Sequence, residues 1–153
     1  MIDVEKDQDM IIKFRKDSYV VSYGSEEGLG DETAYINRIK ERVKKFPYGQ
    51  VIIEKDNFPI GQMELQIKYF EGREIGYVNL FYLIPEYRGK GLGNTLIHYA
   101  EEFFRKASVE EYHLRVSPAN KRAIRLYTNS GMVKLREDNE KNLVYRMWKR
   151  LSY

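Results

Sequence analysis

The chain has 153 residues, a length that fits one globular domain, and its 26 lysines and arginines against 23 acidic residues give a net charge of +3. So mild a charge does not indicate a nucleic-acid partner, and no apolar run approaches the roughly 20 residues of a membrane span. The lack of cysteine excludes disulfides, thiolate zinc sites and thiol nucleophiles. Because the acidic start lacks the basic and apolar regions of a signal peptide, we expect one cytoplasmic domain over residues 1–153.

The N-terminal third is predicted to contain two strands and a helix. Residues 1–9 are polar and are expected to be flexible, while MIIKF (10–14) and SYVVSY (18–23) predict strands with RKD as the turn between them. GSEEGLG has the composition of a mobile loop. Asp31 then caps a predicted helix that runs to about Phe46, where a proline follows.

The rest of the chain alternates between strands and helices. QVIIEK, QMELQIKYF and the long run over residues 75–84 predict three strands joined by short turns. A helix with one apolar stripe runs from about Gly91 to Ala107 and precedes the strand EYHLRV. Pro118 fits the first turn of a helix that ends near Gly131, and MVKLRE and NLVYRMWKRL pair across the turn DNEKN.

These elements predict an α/β (α+β) fold. The expected sheet is mixed and mostly antiparallel, has about seven strands and is flanked by helices. A strand, loop, helix and strand over residues 75–116 should hold the parallel crossover of this sheet.

A glycine-rich loop, EYRGKGLGN from Glu86 to Asn94, follows the long strand. Glycines let backbone N–H groups approach an oxyanion, the next helix directs its positive end at that anion, and Arg88 and Lys90 add mobile positive charge. The loop is not a Walker A loop, since no Gly-Lys-Ser/Thr string occurs, and it fails the dinucleotide fingerprint because Asn94 replaces the third glycine. Taken alone, it fits either a phosphate site or an ordinary turn with solvated basic residues.

A second feature follows in SPANKRAIRLYTNSGM. Asn120 and Tyr127 are seven residues apart, so they lie on one helix face, although this face taken alone is more typical of a core with Tyr127 as an interior aromatic residue. YLIPEYRGKGLG together with this segment resembles the GNAT superfamily of acyl-CoA-dependent N-acetyltransferases over residues 75–135, and the predicted element order extends the resemblance to most of the chain. The residues that match its two signatures are Arg88, Gly91, Gly93, Asn120, Tyr127, Ser130, Gly131 and Met132.

The resemblance implies that acetyl-CoA is the cosubstrate. The loop would wrap its pyrophosphate, the preceding strand would splay from its neighbour at a bulge beside the pantetheine, and a backbone N–H near Leu83 would polarise the thioester carbonyl. Asn120 would bind the cosubstrate or its bound water. With two histidines and no clustered carboxylates, no metal is expected. The residues implied to bind acetyl-CoA are Phe81, Tyr82, Leu83, Arg88, Gly89, Lys90, Gly91, Leu92, Gly93, Asn94 and Asn120.

The resemblance also implies a general acid. A phenol with a reference pKa of about 10 stays protonated at neutral pH, so Tyr127 can donate a proton to the leaving thiolate. Glu64 is the candidate general base, the alternative being a solvated strand residue, and an acceptor amine of low pKa needs no strong base. Some peptide N-terminal acetyltransferases of this superfamily carry Glu five residues before the Asn. Arg115 stands there in this chain, which disfavours that substrate class.

The expected acceptor is an amine of a small molecule or of a peptide or protein, with no nucleic acid and no membrane. Two acidic loops suit a cationic amine, the alternative being solubilising charge. Their acidic residues are Glu26, Glu27, Glu137, Asp138 and Glu140. The alternative function is a non-catalytic acyl-CoA-binding or regulatory module on the same fold, and a nucleic-acid-binding function would require strongly salt-dependent binding. The last strand could join the sheet of a homodimer.

Overall fold

In the computed structural model of the chain, which describes residues 1–139 and 141–153, four helices flank a six-stranded sheet. The helices are α1 (Val4–Tyr23), α2 (Glu32–Lys45), α3 (Leu92–Lys106) and α4 (Lys121–Asn129). The strands are β1 (Gln50–Lys55), β2 (Phe58–Phe70), β3 (Arg73–Leu83), β4 (Glu111–Val116), β5 (Val133–Asn139) and β6 (Leu143–Arg150).

The strand order is β1-β2-β3-β4-β6-β5, in which β3 and β4 are parallel and the other neighbours are antiparallel. This order confirms the predicted mixed, mostly antiparallel sheet and its parallel crossover. The last strand lies between β4 and β5, so the expectation that it could join a dimer sheet is wrong for that strand. Among the residues described, no helix is long and apolar enough to span a bilayer.

The N-terminal segment forms one helix, so the two strands and the RKD turn predicted there are wrong. Asp3 caps α1 by accepting the Lys6 N–H, and Gly24 ends it with a left-handed φ of 81°. The side chains that α1 buries at helical intervals are Val4, Ile11 and Phe14. The β-branched pairs in this segment favour a strand locally, but burial of this helical stripe outweighs that preference. Residues 4–9, expected to be flexible, form the first turns of α1.

The remaining helices begin and end close to the predicted residues. As predicted, Asp31 caps α2, and its carboxylate accepts the N–H groups of Thr33 and Ala34. Helix α4 starts later than predicted, so Pro118 lies outside it. Asn120 is its N-cap, with Oδ1 accepting the Ala123 N–H at 3.3 Å.

Apolar layers cover both faces of the sheet. One layer lies between the sheet and helices α3 and α4, and it includes the fully buried Phe104. The other lies beneath α1 and α2 and includes Ile11 and Ile39. At Gly76 the sheet approaches α3 closely, because a Cβ there would stand 2.4 Å from the Phe104 ring.

A β-bulge at Asn79 divides β3 into two parts. The β2 partners of Val78 and Leu80 are consecutive residues, so no β2 residue stands opposite Asn79 in the register. One extra residue reverses the face toward which later side chains point. Phe81 therefore packs on the α3 and α4 layer, as Val78 does, while Tyr82 packs against Phe14 of α1.

Beyond the bulge, β3 and β4 diverge. Their parallel pairing joins Gly76–Val78 to Tyr112–Leu114 and extends no further within the described residues, although β3 continues to Leu83. This divergence at a bulge agrees with what the resemblance implied. It opens the sheet beside the end of β3 and leaves that side of the β3 backbone without a neighbouring strand.

Candidate active site

A cavity of about 530 Å³ lies at the end of β3, between α1, the glycine loop and α4. The sequence-predicted residues that line it are Phe81, Tyr82, Leu83, Arg88, Gly89, Gly91, Gly93, Asn94, Asn120 and Tyr127. Lys90 and Leu92 belong to the same loop and helix start but are not part of the lining. The structure thus brings the loop, the strand end and the Asn120–Tyr127 helix face to one cavity.

The glycine loop exposes backbone donors toward this cavity. Gly89 and Gly91 have left-handed φ angles of 72° and 84°, which glycine adopts without a steric penalty. Gly91 is the N-cap of α3 and provides no side-chain cap, so the first N–H groups of α3 remain available to a ligand. Gly93 permits close packing of α3 on α4, because its Cβ would stand 2.6 Å from the Leu126 side chain. Uncapped N–H groups at the positive end of a helix suit a phosphate.

The charge near the loop is arranged differently from the prediction. Arg88 is not a mobile cation, since its Nε donates to the Leu83 carbonyl and its Nη2 donates to Asp17, both at 2.8 Å. Arg122 of α4 lies beside the loop, with Nη1 3.9 Å from the position of a Gly89 Cβ. Arg122 therefore places a guanidinium near a phosphate held at Gly89.

Tyr127 is buried beside the end of β3. Its side chain is 8% exposed, and its ring centroid lies 6.1 Å from that of Phe81. Burial raises the pKa of the Tyr127 phenol above its ordinary value, which keeps the hydroxyl protonated at neutral pH. A protonated phenol in a largely apolar wall can serve as a proton donor.

Glu64 lies on the opposite face of the sheet and is not among the described residues that line the cavity. Its carboxylate accepts hydrogen bonds from Tyr35 at 2.6 Å, Gln62 at 2.9 Å and Arg42 at 3.0 Å. Desolvation raises its pKa, whereas the hydrogen bond from Tyr35 and the charge of Arg42 oppose that shift. Because Glu64 is 3% exposed, its alternative interpretation as a solvated strand residue is wrong. A catalytic role for Glu64 stays a prediction.

The acidic residues expected near the acceptor are partly neutralised. Glu137 forms an ion pair with a lysine at 2.9 Å, and Asp138 accepts from two arginines at 2.8 Å and 3.1 Å. Glu26 and Glu27 are exposed, and Glu140 lies outside the described residues. The ion pairs of Glu137 and Asp138 weaken the argument for a cationic acceptor. In the described part of the chain, no group of three or more metal-ligating side chains is found.

Sequence reasoning missed the contribution of α1 to this cavity. Ser18 and Val21 line it, and the neighbouring Asp17 binds the glycine loop through Arg88. These residues were assigned to a strand and a turn, so no pattern linked them to the loop. The apolar residues that α1 buries recur at helical intervals in the sequence, and this recurrence could have indicated a helix. Besides Arg122 and Ala123, three further lining residues on α4 could have been found from helical spacing: Arg125, Leu126 and Asn129.

Comparison with known proteins bears on the identity of this cavity. The model of the Acetyltransferase (GNAT) family matches residues 11–132. An uncharacterized N-acetyltransferase of Methanocaldococcus jannaschii is 29% identical over 92 residues, which cover 58% of this chain and 41% of that protein. The match thus spans less than half of the length of this curated relative.

Solved structures share the fold. A ribosomal-protein-alanine N-acetyltransferase from Brucella melitensis aligns with a TM-score of 0.76 and 19% identity over 99% of this chain and 98% of that one. A chain of the NatC complex bound to Gag peptide and CoA aligns with a TM-score of 0.66 and 19% identity over 76% of this chain and 80% of that one. Because the family model covers most of the chain, including the glycine loop and α4, this protein belongs to the GNAT acetyltransferase family.

Proposed function

We propose that the protein is an N-acetyltransferase that transfers an acetyl group from acetyl-CoA to a primary amine by direct attack. The observation that carries this proposal is the convergence of three features on one cavity: the uncapped start of α3, the end of β3 that has no partner on the β4 side, and the buried Tyr127. The CoA reported in the NatC structure supports the choice of donor. The acceptor is a small-molecule, peptide or protein amine.

Donor binding is assigned to backbone groups and one arginine. The first N–H groups of α3 and the Arg122 guanidinium bind the pyrophosphate. The β3 backbone after Asn79, which has no neighbouring strand on the β4 side, hydrogen-bonds the amides of the pantetheine arm. An N–H near Leu83 donates to the thioester oxygen, where negative charge develops during attack.

Tyr127 completes the reaction as the general acid. The amine nitrogen forms a bond to the acetyl carbon, the carbon–sulfur bond breaks, and the thiolate leaves. Tyr127 gives its proton to that sulfur, and the amine loses a proton to a base or to water. Asn120 is assigned to the binding of acetyl-CoA. Its Oδ1 caps α4, which leaves its Nδ2 group to donate a hydrogen bond into the cavity.

A thiol-release assay tests the proposed function. Acetyl-CoA is offered with polyamines, amino acids, aminoglycosides and peptides, and CoA binding is measured by calorimetry on the same protein. Amine-dependent thiol release supports the enzyme. CoA binding without turnover on any amine supports the alternative, a non-catalytic acyl-CoA-binding module, and the absence of both binding and turnover contradicts acyl-CoA recognition.

Arg122→Ala is expected to raise the KM for acetyl-CoA about fivefold, the size of one exposed charge contact, with little change in kcat. Lys90→Ala is the matched control on the loop itself, because Lys90 does not line the cavity, and it should raise the KM less. Steady-state kinetics at low and high salt would check this order, since screening should reduce the Arg122 effect. Equal KM values for the two variants would contradict the role of Arg122.

Glu64→Gln is expected to lower kcat about tenfold at neutral pH if Glu64 accepts the amine proton through a water. Glu64 pairs with Leu80, at the start of the diverging half of β3, so this role requires a water that bridges the strand from the opening to the Glu64 carboxylate. Since its pKa is raised, the basic form is lost as pH falls through that raised value, and the acidic limb of the pH–rate profile should disappear in the variant. Tyr35→Phe is the control for the loss of one hydrogen bond to Glu64. A lower Tm with an unchanged pH profile would assign Glu64 a purely structural role.

A further inference from the structure

One carboxylate of α1 joins the end of β3 to the glycine loop. Asp17 Oδ2 accepts the Tyr82 hydroxyl at 2.5 Å and the Arg88 Nη2 group at 2.8 Å. The same Arg88 donates through Nε to the carbonyl of Leu83 at 2.8 Å. Asp17 is 65 residues from Tyr82 and 71 residues from Arg88 in the sequence, so these contacts connect distant parts of the chain.

The partners of Asp17 are held by packing as well as by hydrogen bonds. Tyr82 is 5% exposed, and its ring lies 4.8 Å from that of Phe14 on α1. The Arg88 guanidinium carbon lies 5.5 Å from the Tyr82 ring. Because this cluster is partly withdrawn from water, its charge-assisted hydrogen bonds are stronger than those of an exposed ion pair.

This arrangement changes the role expected of Arg88. Its guanidinium is engaged by Asp17 and Leu83, so it fixes the start of the glycine loop to the strand end instead of reaching freely for a phosphate. In the proposed function, a backbone N–H near Leu83 also donates to the thioester oxygen. Asp17 therefore acts on two parts of the donor site at once, through groups that line the cavity.

We propose that Asp17 is a positioning residue for the acyl donor: through Arg88 and Tyr82 it holds the glycine loop and Leu83 in the conformation that binds acetyl-CoA. This inference rests on the proposed function, and Asp17 itself need not touch the donor. It makes α1 part of the donor site, together with Ser18 and Val21 in the cavity wall.

The test measures CoA affinity by calorimetry, with kcat, the KM for acetyl-CoA and Tm determined on the same preparations. Asp17→Ala removes the acceptor of two hydrogen bonds and is expected to weaken CoA binding about tenfold, with a similar rise in KM and kcat within about twofold. Asp17→Asn keeps an acceptor oxygen without the charge, so its loss of affinity should be intermediate.

Two control variants lie on the same helix. Lys16 is adjacent to Asp17, but its ion pair at 2.7 Å goes to Glu32 on α2 and does not reach β3 or the loop. Lys16→Met and Asp9→Asn, the latter at an exposed position of α1, should keep the wild-type affinity for CoA. If both lowered CoA affinity as much as Asp17→Ala does, the effect would belong to α1 stability and the positioning role would be overturned.

The remaining outcomes also decide the question. A folded Asp17→Ala protein with unchanged CoA affinity overturns the proposal, and so does tighter binding caused by a released Arg88. If Asp17→Ala does not fold, the proposal is tested with Asp17→Asn and Tyr82→Phe. Each of these variants should weaken CoA binding by less than the tenfold expected for Asp17→Ala. Wild-type protein that neither binds CoA nor releases thiol refutes the proposed function itself, whereas wild-type binding with insensitive Asp17 variants refutes only this inference.

Discussion

Replacing Tyr127 by phenylalanine is expected to lower kcat for acetyl transfer by about 100-fold or more, while CoA affinity stays within about twofold of the wild type. The phenyl ring preserves the contact with Phe81 and leaves no cavity, so the change removes only the hydroxyl. General acids contribute roughly 10²- to 10⁴-fold to rate, and the thiolate would then leave without a positioned proton donor. Single-turnover kinetics with acetyl-CoA would measure the chemical step directly.

Tyr112→Phe is the matched control for this prediction. Tyr112 is fully buried in the same layer and donates its hydroxyl to Glu101 at 2.7 Å, but it does not line the cavity. Its loss should lower Tm by leaving the Glu101 carboxylate short of a donor, and kcat should change little. If Tyr127→Phe binds acetyl-CoA and turns over at the wild-type rate, Tyr127 is not the acid and serves only in packing.

Gly76→Ala is expected to lower the free energy of unfolding by about 2–3 kcal/mol. The added Cβ would stand 2.4 to 2.7 Å from three atoms of the Phe104 ring. That ring is fully buried and lies against Tyr112, with ring centroids 5.1 Å apart. The backbone has little room to move away, because Gly76 is paired with Ile67 of β2 and with Tyr112 of β4. Urea denaturation followed by far-ultraviolet circular dichroism would measure the loss.

A double-mutant cycle identifies the cause of that loss. Phe104→Leu removes the ring that the new methyl group meets, so Gly76→Ala should cost less in the Phe104→Leu background than in the wild type. The two changes together should therefore be less destabilising than the sum of their separate effects. Strict additivity would show that the loss does not come from the Phe104 ring, and a Gly76→Ala protein as stable as the wild type would show that the strand adjusts without strain.

The residues that the sequence predicted for the site, and that the structure brings to one cavity, depend on short-range patterns. The glycine loop carries its left-handed residues within one short segment, and Asn120 and Tyr127 are two helical turns apart, so both features are visible without knowledge of the fold. The Asp31 cap of α2 is likewise local, whereas α4 begins after Asn120 instead of at Pro118. The glycine loop and α4 also lie in the region that resembles the family.

What the sequence did not predict depends on contacts between distant segments. The β-branched residues of α1 favour strands when considered alone, and only the layer beneath the helix makes it helical. The contacts of Asp17 reach residues far along the chain, which no local pattern indicates. Glu64 was a reasonable candidate base by residue type, but its burial under Tyr35 and Arg42 depends on where α2 packs.

The extra residue at Asn79 has a practical consequence for anyone who wishes to alter this protein. Neighbouring side chains of a strand face different layers, and the extra residue decides which of them face α3 and α4, so Phe81 and Tyr82 can be randomised in separate variant libraries. Deleting the extra residue would exchange the two sets, turning the Tyr82 side chain toward the α3 and α4 layer and Phe81 toward α1. Changes to the length of β3 are therefore best made two residues at a time.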